Sequence, residues 1–167
     1  QTNQKLAKSL TTYNEEQNIV NLISQINSSL NNYKSYELII INDASTDNTN
    51  KVLNELKNKF NFIFIENSIN SGQSFSITKG IKIAKHEIII TLDGDGQNNP
   101  KDIPKLLEYY LTHSNISLVG GIRKKRKDSY LKIISSKIAN KVRSNILNDG
   151  CDDTGCSLKV FNKNIFL

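Results

Sequence analysis

The sequence predicts an α/β domain built on a mostly parallel sheet flanked by helices, and three observations predict it. Apolar runs of strand length alternate along the chain with segments whose apolar residues recur at helical spacing. The runs ELIII at residues 37–41 and IIITL at residues 88–92 are almost continuously apolar, as strands covered on both faces are. Parallel neighbours of that kind need crossover helices between them, which the alternation supplies. Finally, Glu15, Asp43, Asp93 and Asp95 each lie at or just past a strand end. Ligands bind beyond the carboxyl ends of the strands in such sheets. With 167 residues and 37% hydrophobic content, the chain reads as one domain over residues 1–167, cut at its C-terminal end.

The elements follow in order. A weakly patterned segment around Leu6 to Tyr13 opens the chain as a polar first strand, LAKSLTT. Ile19, Leu22, Ile23, Ile26 and Leu30 then mark a helix that begins after Asn14 and Glu15. The strand ELIIIND, a helix on Val52, Leu53, Leu56 and Phe60, the strand FNFIFI and a helix from Gly72 to Lys85 lead to the strand that ends at Asp93. Pro100 suits the first position of a helix carrying Ile103, Leu106, Leu107, Tyr110 and Leu111, and the strand ISLVGG follows. Leu131, Ile134, Ile138 and Val142 give an amphipathic helix over residues 129–147, and CDDTGCSLKVFNKNIFL opens a last strand and helix.

Composition removes several classes of function. No apolar run approaches the roughly 20 residues that cross a bilayer, and QTNQKLAKSL lacks the apolar core of a signal peptide. The expected location is cytoplasmic, at the inner face of a membrane. Cys151 and Cys156 are the only cysteines, and His86 and His113 stand apart, so a zinc site lacks ligands and both thiols are read as reduced. The formal charge of +6 is uneven: residues 123–143 hold nine Lys or Arg against a single acid, Asp128. That segment calls for an anionic partner. Its aromatic residues show no stacking pattern, which argues against nucleic acid.

The stretch IIITLDGDGQ at residues 88–97 carries the chemistry. Alternate side chains of an extended segment point the same way, so Asp93 and Asp95 can address one ligand. Mg²⁺ favours one or two carboxylates plus substrate phosphate oxygens, which makes these two acids candidate metal ligands beside a diphosphate. A solvated Asp-Gly turn is the simpler alternative.

TTYNEEQNI, INDASTDNT, LDGDGQNNPKDIP, GIRKKRKDS and DTGCSLKVF occur in a set order over almost the whole chain. Together they resemble family 2 glycosyltransferases of the GT-A fold, a Rossmann-like nucleotide-diphospho-sugar transferase architecture. The nearest branch is that of dolichol-phosphate mannose synthases and polyprenyl-phosphate glycosyltransferases. The resemblance implies that Tyr13 and Glu15 contact the nucleotide, that Asp43 receives the N–H edge of the base, and that Ile41 packs beneath it. It implies that Asp93 faces ribose or metal and that Asp95 holds Mg²⁺ or Mn²⁺, with Gly94 and Gln97 in the same nucleotide-sugar site. Arg123 would meet the diphosphate or the sugar, Arg126 and Lys127 the phosphate of the lipid, and Asp152 or Asp153 the reacting centre. Thr11 stands where the family usually has proline, and Asn42 where it has the first acid of a pair.

The implied reaction moves a hexosyl unit, mannose or glucose, from GDP-mannose or a UDP-hexose to a polyprenyl phosphate, with inversion. A phosphate monoester is largely ionised near neutral pH, so no perturbed general base is required. Basic residues outside the site would favour an anionic leaflet by about 1 kcal/mol each. Three rival readings are a glycosyltransferase with a saccharide or protein acceptor, a Mg²⁺-dependent phosphatase of the haloacid-dehalogenase type, whose first strand also runs into Asp-x-Asp-Gly, and a basic membrane-binding module without activity.

Overall fold

A computed structural model describes residues 2–123, 153 and 155–166. Strand β1 (Thr2–Thr12) is followed by α1 (Ile19–Leu30), β2 (Tyr33–Asn42), α2 (Thr49–Leu56), β3 (Ile63–Glu66), α3 (Gln73–Ile83) and β4 (Ile88–Asp93). A 3-10 turn at Pro100–Asp102 leads into α4 (Ile103–Thr112), then come β5 (Leu118–Gly120), β6 (Lys159–Asn162) and the one-turn α5 (Lys163–Phe166). Residues 129–147, where the sequence predicts a helix, fall outside the described residues.

Among the described residues the six strands lie in the order β3-β2-β1-β4-β6-β5. The pairs β1–β2, β1–β4 and β2–β3 are parallel, whereas β6 runs antiparallel to both β4 and β5. The sheet is therefore mostly parallel, as the alternation of elements predicts, with one reversed strand. Helices α1, α2 and α4 cover one face through Ile19, Ile23, Ile26, Leu53, Ile103 and Leu107, which pack on Leu6, Leu10, Leu38, Ile40, Ile90 and Leu92. On the other face α3 covers Ala7, Ile39, Ile41, Ile89 and Phe161 through Ile77 and Ile81. Strands buried on both faces can carry an unbroken apolar run, which explains ELIII and IIITL.

The polar strand β1 lies in the middle of this sheet, and its Lys8, Ser9, Thr11 and Thr12 are all buried. Ser9 faces α3 at Gly80, where a Cβ would come within 2.1 Å of the Ser9 Oγ. Glycine lets helix and strand approach at that point, and the small Ser9 side chain fits the same gap. Pro100 opens a 3-10 turn rather than the helix itself, and the helix starts three residues later.

Candidate functional site

Parallel strands β1, β2 and β4 deliver three loops to one end of the sheet, and the loops are tied to one another. Asn14, at φ 55° in the left-handed region that Asn tolerates, accepts through its Oδ1 the backbone N–H of Thr46 at 2.8 Å. Its own N–H donates to Ser45 Oγ at 2.9 Å, and the N–H of Glu15 donates to Thr49 Oγ1 at 2.8 Å. At position 42, where the family usually has an acid, Asn42 accepts a hydrogen bond from Ser45 N at 3.3 Å. These bonds fix Tyr13 and Glu15, from the first loop, against the turn that follows Asp43.

Asp43 is 5% exposed and is held by donors from a fourth loop. Its Oδ1 accepts from Asn67 Nδ2 at 2.6 Å and from Ser71 N at 3.0 Å, and its Oδ2 from Gly72 N at 2.7 Å. Burial by itself would raise this carboxyl, but hydrogen bonds from Ser71, Asn67, Gly72 and Ser76 outweigh it and hold the group below the usual carboxylate range. Those four donors match the roughly four acceptor sites of a carboxylate. Lys79 Nζ, 2.7 Å from Asn67 Oδ1, orients the asparagine amide toward Asp43.

At the end of β4, Thr11 Oγ1 donates to Asp93 Oδ1 at 3.1 Å and Gln73 Nε2 to Asp93 Oδ2 at 2.6 Å. Thr11, at the position where the family usually has proline, thus orients one of the two acids. Gly94 sits so close to β1 that a Cβ would lie 2.9 Å from Thr12 Oγ1 and 3.1 Å from the Thr11 carbonyl. Asp95 is exposed at the tip of the turn, where its Oδ1 accepts from the N–H of Gln97 at 3.0 Å. Gly96 closes the turn at φ 69°.

Tyr13, Glu15, Asp43, Gly94, Asp93 and Asp95 line one open cavity of about 320 Å³, together with Gly72 and Gln73. Six of the residues singled out from sequence thus meet in one place. Ile41, expected beneath the base, is wholly buried on the α3 face and is not itself among the residues that line this cavity. Side chains alternate along β2, and position 41 shares the α3 side with Ile39. Gln97 and Arg123 line a second cavity, of about 900 Å³, formed with α4 and β5. The turn from Asp93 to Gln97 separates the two spaces. Arg123 is gripped by Asp153, with Nε 3.0 Å from Oδ2 and Nη2 2.9 Å from Oδ1. Of the two acids at 152 and 153, it is Asp153 that this pair places beside Arg123; Asp152, Arg126 and Lys127 lie outside the described residues.

Sequence reasoning missed Asn67, Ser71, Gln73 and Lys79; Asn67 directly follows β3 but is an amide rather than an acid, and the other three do not stand at the end of an apolar run. The clearest available signal is Gly72, which opens α3 at φ 87° in a loop that must bend sharply after β3.

A family model described as glycosyl transferase family 2 matches residues 10–167. The undecaprenyl-phosphate 4-deoxy-4-formamido-L-arabinose transferase of Proteus mirabilis is 32% identical over 96% of this chain and 50% of its own length. The dodecaprenyl-phosphate galacturonate synthase of Rhizobium johnstonii is 35% identical over 92% of this chain and 46% of its own. The chain thus spans about half the length of these relatives. Among solved structures, glucosyl-3-phosphoglycerate synthase from Mycobacterium tuberculosis, in complex with Mn²⁺, UDP and phosphoglyceric acid, superposes with a TM-score of 0.74 at 17% identity. That match covers 97% of this chain and 57% of the other, and it is a likeness of fold.

Proposed function

The chain belongs to glycosyl transferase family 2, and from that premise we propose that it forms the donor-binding part of an inverting, metal-dependent enzyme that moves a sugar from a nucleoside diphosphate to a polyprenyl phosphate. Membership of this family sets aside the phosphatase and the inactive-module readings. One observation carries the proposal: Tyr13, Glu15, Asp43, Asp93 and Asp95 converge on a single cavity at the carboxyl ends of β1, β2 and β4. The polyprenyl-phosphate acceptor is supported by the names of the two curated relatives, and the sugar is read as a hexosyl unit from GDP-mannose or a UDP-hexose.

The donor set fits a divalent cation. Asp95 offers an exposed hard oxygen, and Asp93 is pinned beside it by Thr11 and Gln73. No cluster of three or more acids, His or Cys that could enclose an ion occurs among the described residues. Such a site therefore suits Mg²⁺ or Mn²⁺ completing its shell with diphosphate oxygens. When bound, the ion would supply charge stabilisation to the departing diphosphate.

The chain's own residues do the rest. Asp43, kept ionised by its hydrogen bonds, is an acceptor suited to the N–H of uracil or guanine. Because its acceptor sites are taken, a base must displace one side-chain donor; Asn67 Nδ2 already has a second partner in Ser76 Oγ at 2.9 Å. Arg123, which lines the second cavity, would meet an anion arriving there, and Arg126 and Lys127 would extend that basic surface toward the lipid phosphate. Asp152 would act at the same reacting centre. Contact with an anionic membrane belongs to the same proposal; no helix among the described residues is long and apolar enough to cross one.

A thermal-shift panel of UDP, GDP and their sugars, with and without Mn²⁺, tests it, since a ligand that binds only the folded state raises apparent stability. A metal-dependent shift with one base, followed by transfer to polyprenyl phosphate, is the expected result. No shift with any donor overturns it.

A further inference from the structure

The hydroxyl of Ser157 accepts the backbone N–H of Asp93 at 3.1 Å and the Nδ2 of Asn98 at 2.8 Å. One oxygen atom thus ties together the two ends of the turn that carries Asp95. Both side chains are buried, Ser157 at 6% exposure and Asn98 at 9%. The asparagine is oriented from its other end, because the Cys156 thiol donates to Asn98 Oδ1 at 3.0 Å. Ser157 is anchored as well: its carbonyl accepts the hydroxyl of Thr91, on β4, at 2.7 Å. Four positions earlier in sequence, Asp153 accepts the backbone N–H of Arg123 at 3.2 Å in addition to the two guanidinium bonds. A Cβ at Gly155 would come 2.8 Å from Arg123 Nη2, so Gly155 lies directly against the arginine.

We infer that Ser157 and Asn98 are positioning residues that set the distance between the acid turn and Arg123. Asp153 holds the arginine, and Ser157 holds both ends of the acid turn. This inference rests on the proposed glycosyl transfer, in which a diphosphate at the turn and an anion at Arg123 must be brought into one geometry. Neither residue touches the cavity lined by Asp43 and Glu15. Their loss therefore acts on the alignment of the two halves rather than on recognition of the nucleotide. Misplacement by about 1 Å is enough to cost on the order of 10²-fold in rate.

The test uses the full-length protein and compares Ser157→Ala, Ser157→Thr and Asn98→Ala. Ser157→Ala and Asn98→Ala should each lower kcat by about 10²-fold while the Kd of the nucleoside diphosphate changes by less than about threefold. Ser157→Thr, which keeps the oxygen, should recover most of the rate. Amide hydrogen exchange supplies a readout independent of turnover: the amides from Asp93 to Gln97 should exchange at least about tenfold faster in Ser157→Ala while those of β1 stay protected. Unchanged exchange at the turn, unchanged kcat in Ser157→Ala, or parallel losses of kcat and nucleotide affinity would each overturn the inference. Absence of transfer by the wild-type chain would instead count against glycosyl transfer itself, with the exchange result still deciding whether the tie exists.

Discussion

The guanidinium of Arg123 and the carboxylate of Asp153 meet fork to fork, with their side chains 16% and 3% exposed. Two parallel charge-assisted bonds in a largely dry setting make this a pair whose partners depend on each other. Removing one partner takes both of these bonds from the other charge, a loss that in buried pairs is about 3 kcal/mol. Asp153→Ala should therefore lower unfolding stability by roughly that amount in urea titrations. Arg123→Lys keeps the charge and loses the planar fork, so it should fall between wild type and Asp153→Ala.

Asp95 stands exposed at the tip of its turn and contributes little to the packed core. Asp95→Asn removes a ligand charge without creating a cavity. Its stability should stay within about 0.5 kcal/mol of wild type. The Mn²⁺-dependent part of the donor thermal shift should disappear, and transfer should fall by at least about 10²-fold. A variant that still turns over at the wild-type rate would take the metal out of the proposed mechanism.

Much of this arrangement is legible in the sequence because its signals are local. The spacing of Ile19, Leu22, Ile23, Ile26 and Leu30 predicts a helix, and the helix covers Ile19–Leu30 with all five residues buried. The acids at 43, 93 and 95 are legible because a strand end is marked by the stop of an apolar run. The ties between loops are not, since Asn98 and Ser157 lie 59 positions apart and no periodicity joins them. The face that Ile41 serves is set by strand alternation, and the sequence alone does not say which face is covered by α3. Strand β1 is only weakly marked because its composition is polar, and its place in the sheet comes from pairing with β2 and β4 rather than from its own hydrophobicity.

Ala44, directly after Asp43, adopts φ 56°. A Cβ in that left-handed region costs roughly 1–2 kcal/mol, part of which a glycine forfeits through its greater freedom in the unfolded chain. Ala44→Gly should consequently raise stability by up to about 1 kcal/mol, which a shift in the denaturation midpoint at constant slope would report. Because the backbone of this turn is already in the glycine-like conformation, nucleotide affinity should be unchanged.

Lys8 fits its surroundings poorly. It is fully buried on β1, between Leu38 of β2 and Ile90 of β4 in register, and strand alternation sets it on the same face as Leu6 and Leu10. Its Nζ has no hydrogen-bond partner among the described residues, and burial pushes its pKa well below 10.5. Methionine has a similar length and no polar donor, so Lys8→Met should stabilise the protein by more than about 2 kcal/mol near neutral pH, the typical cost of a buried unpaired polar group with the cost of the lost proton added to it. The pH dependence has a definite sign. With the folded pKa depressed, the unfolded chain binds the extra proton throughout the window from that folded value up to 10.5, so wild-type stability rises with pH there by up to about 1.4 kcal/mol per unit. Above 10.5 the penalty on this proton is gone. The difference in unfolding free energy between Lys8→Met and wild type should therefore shrink steadily as pH is raised toward 10.5, and a difference independent of pH would mean that Lys8 keeps its proton inside the sheet.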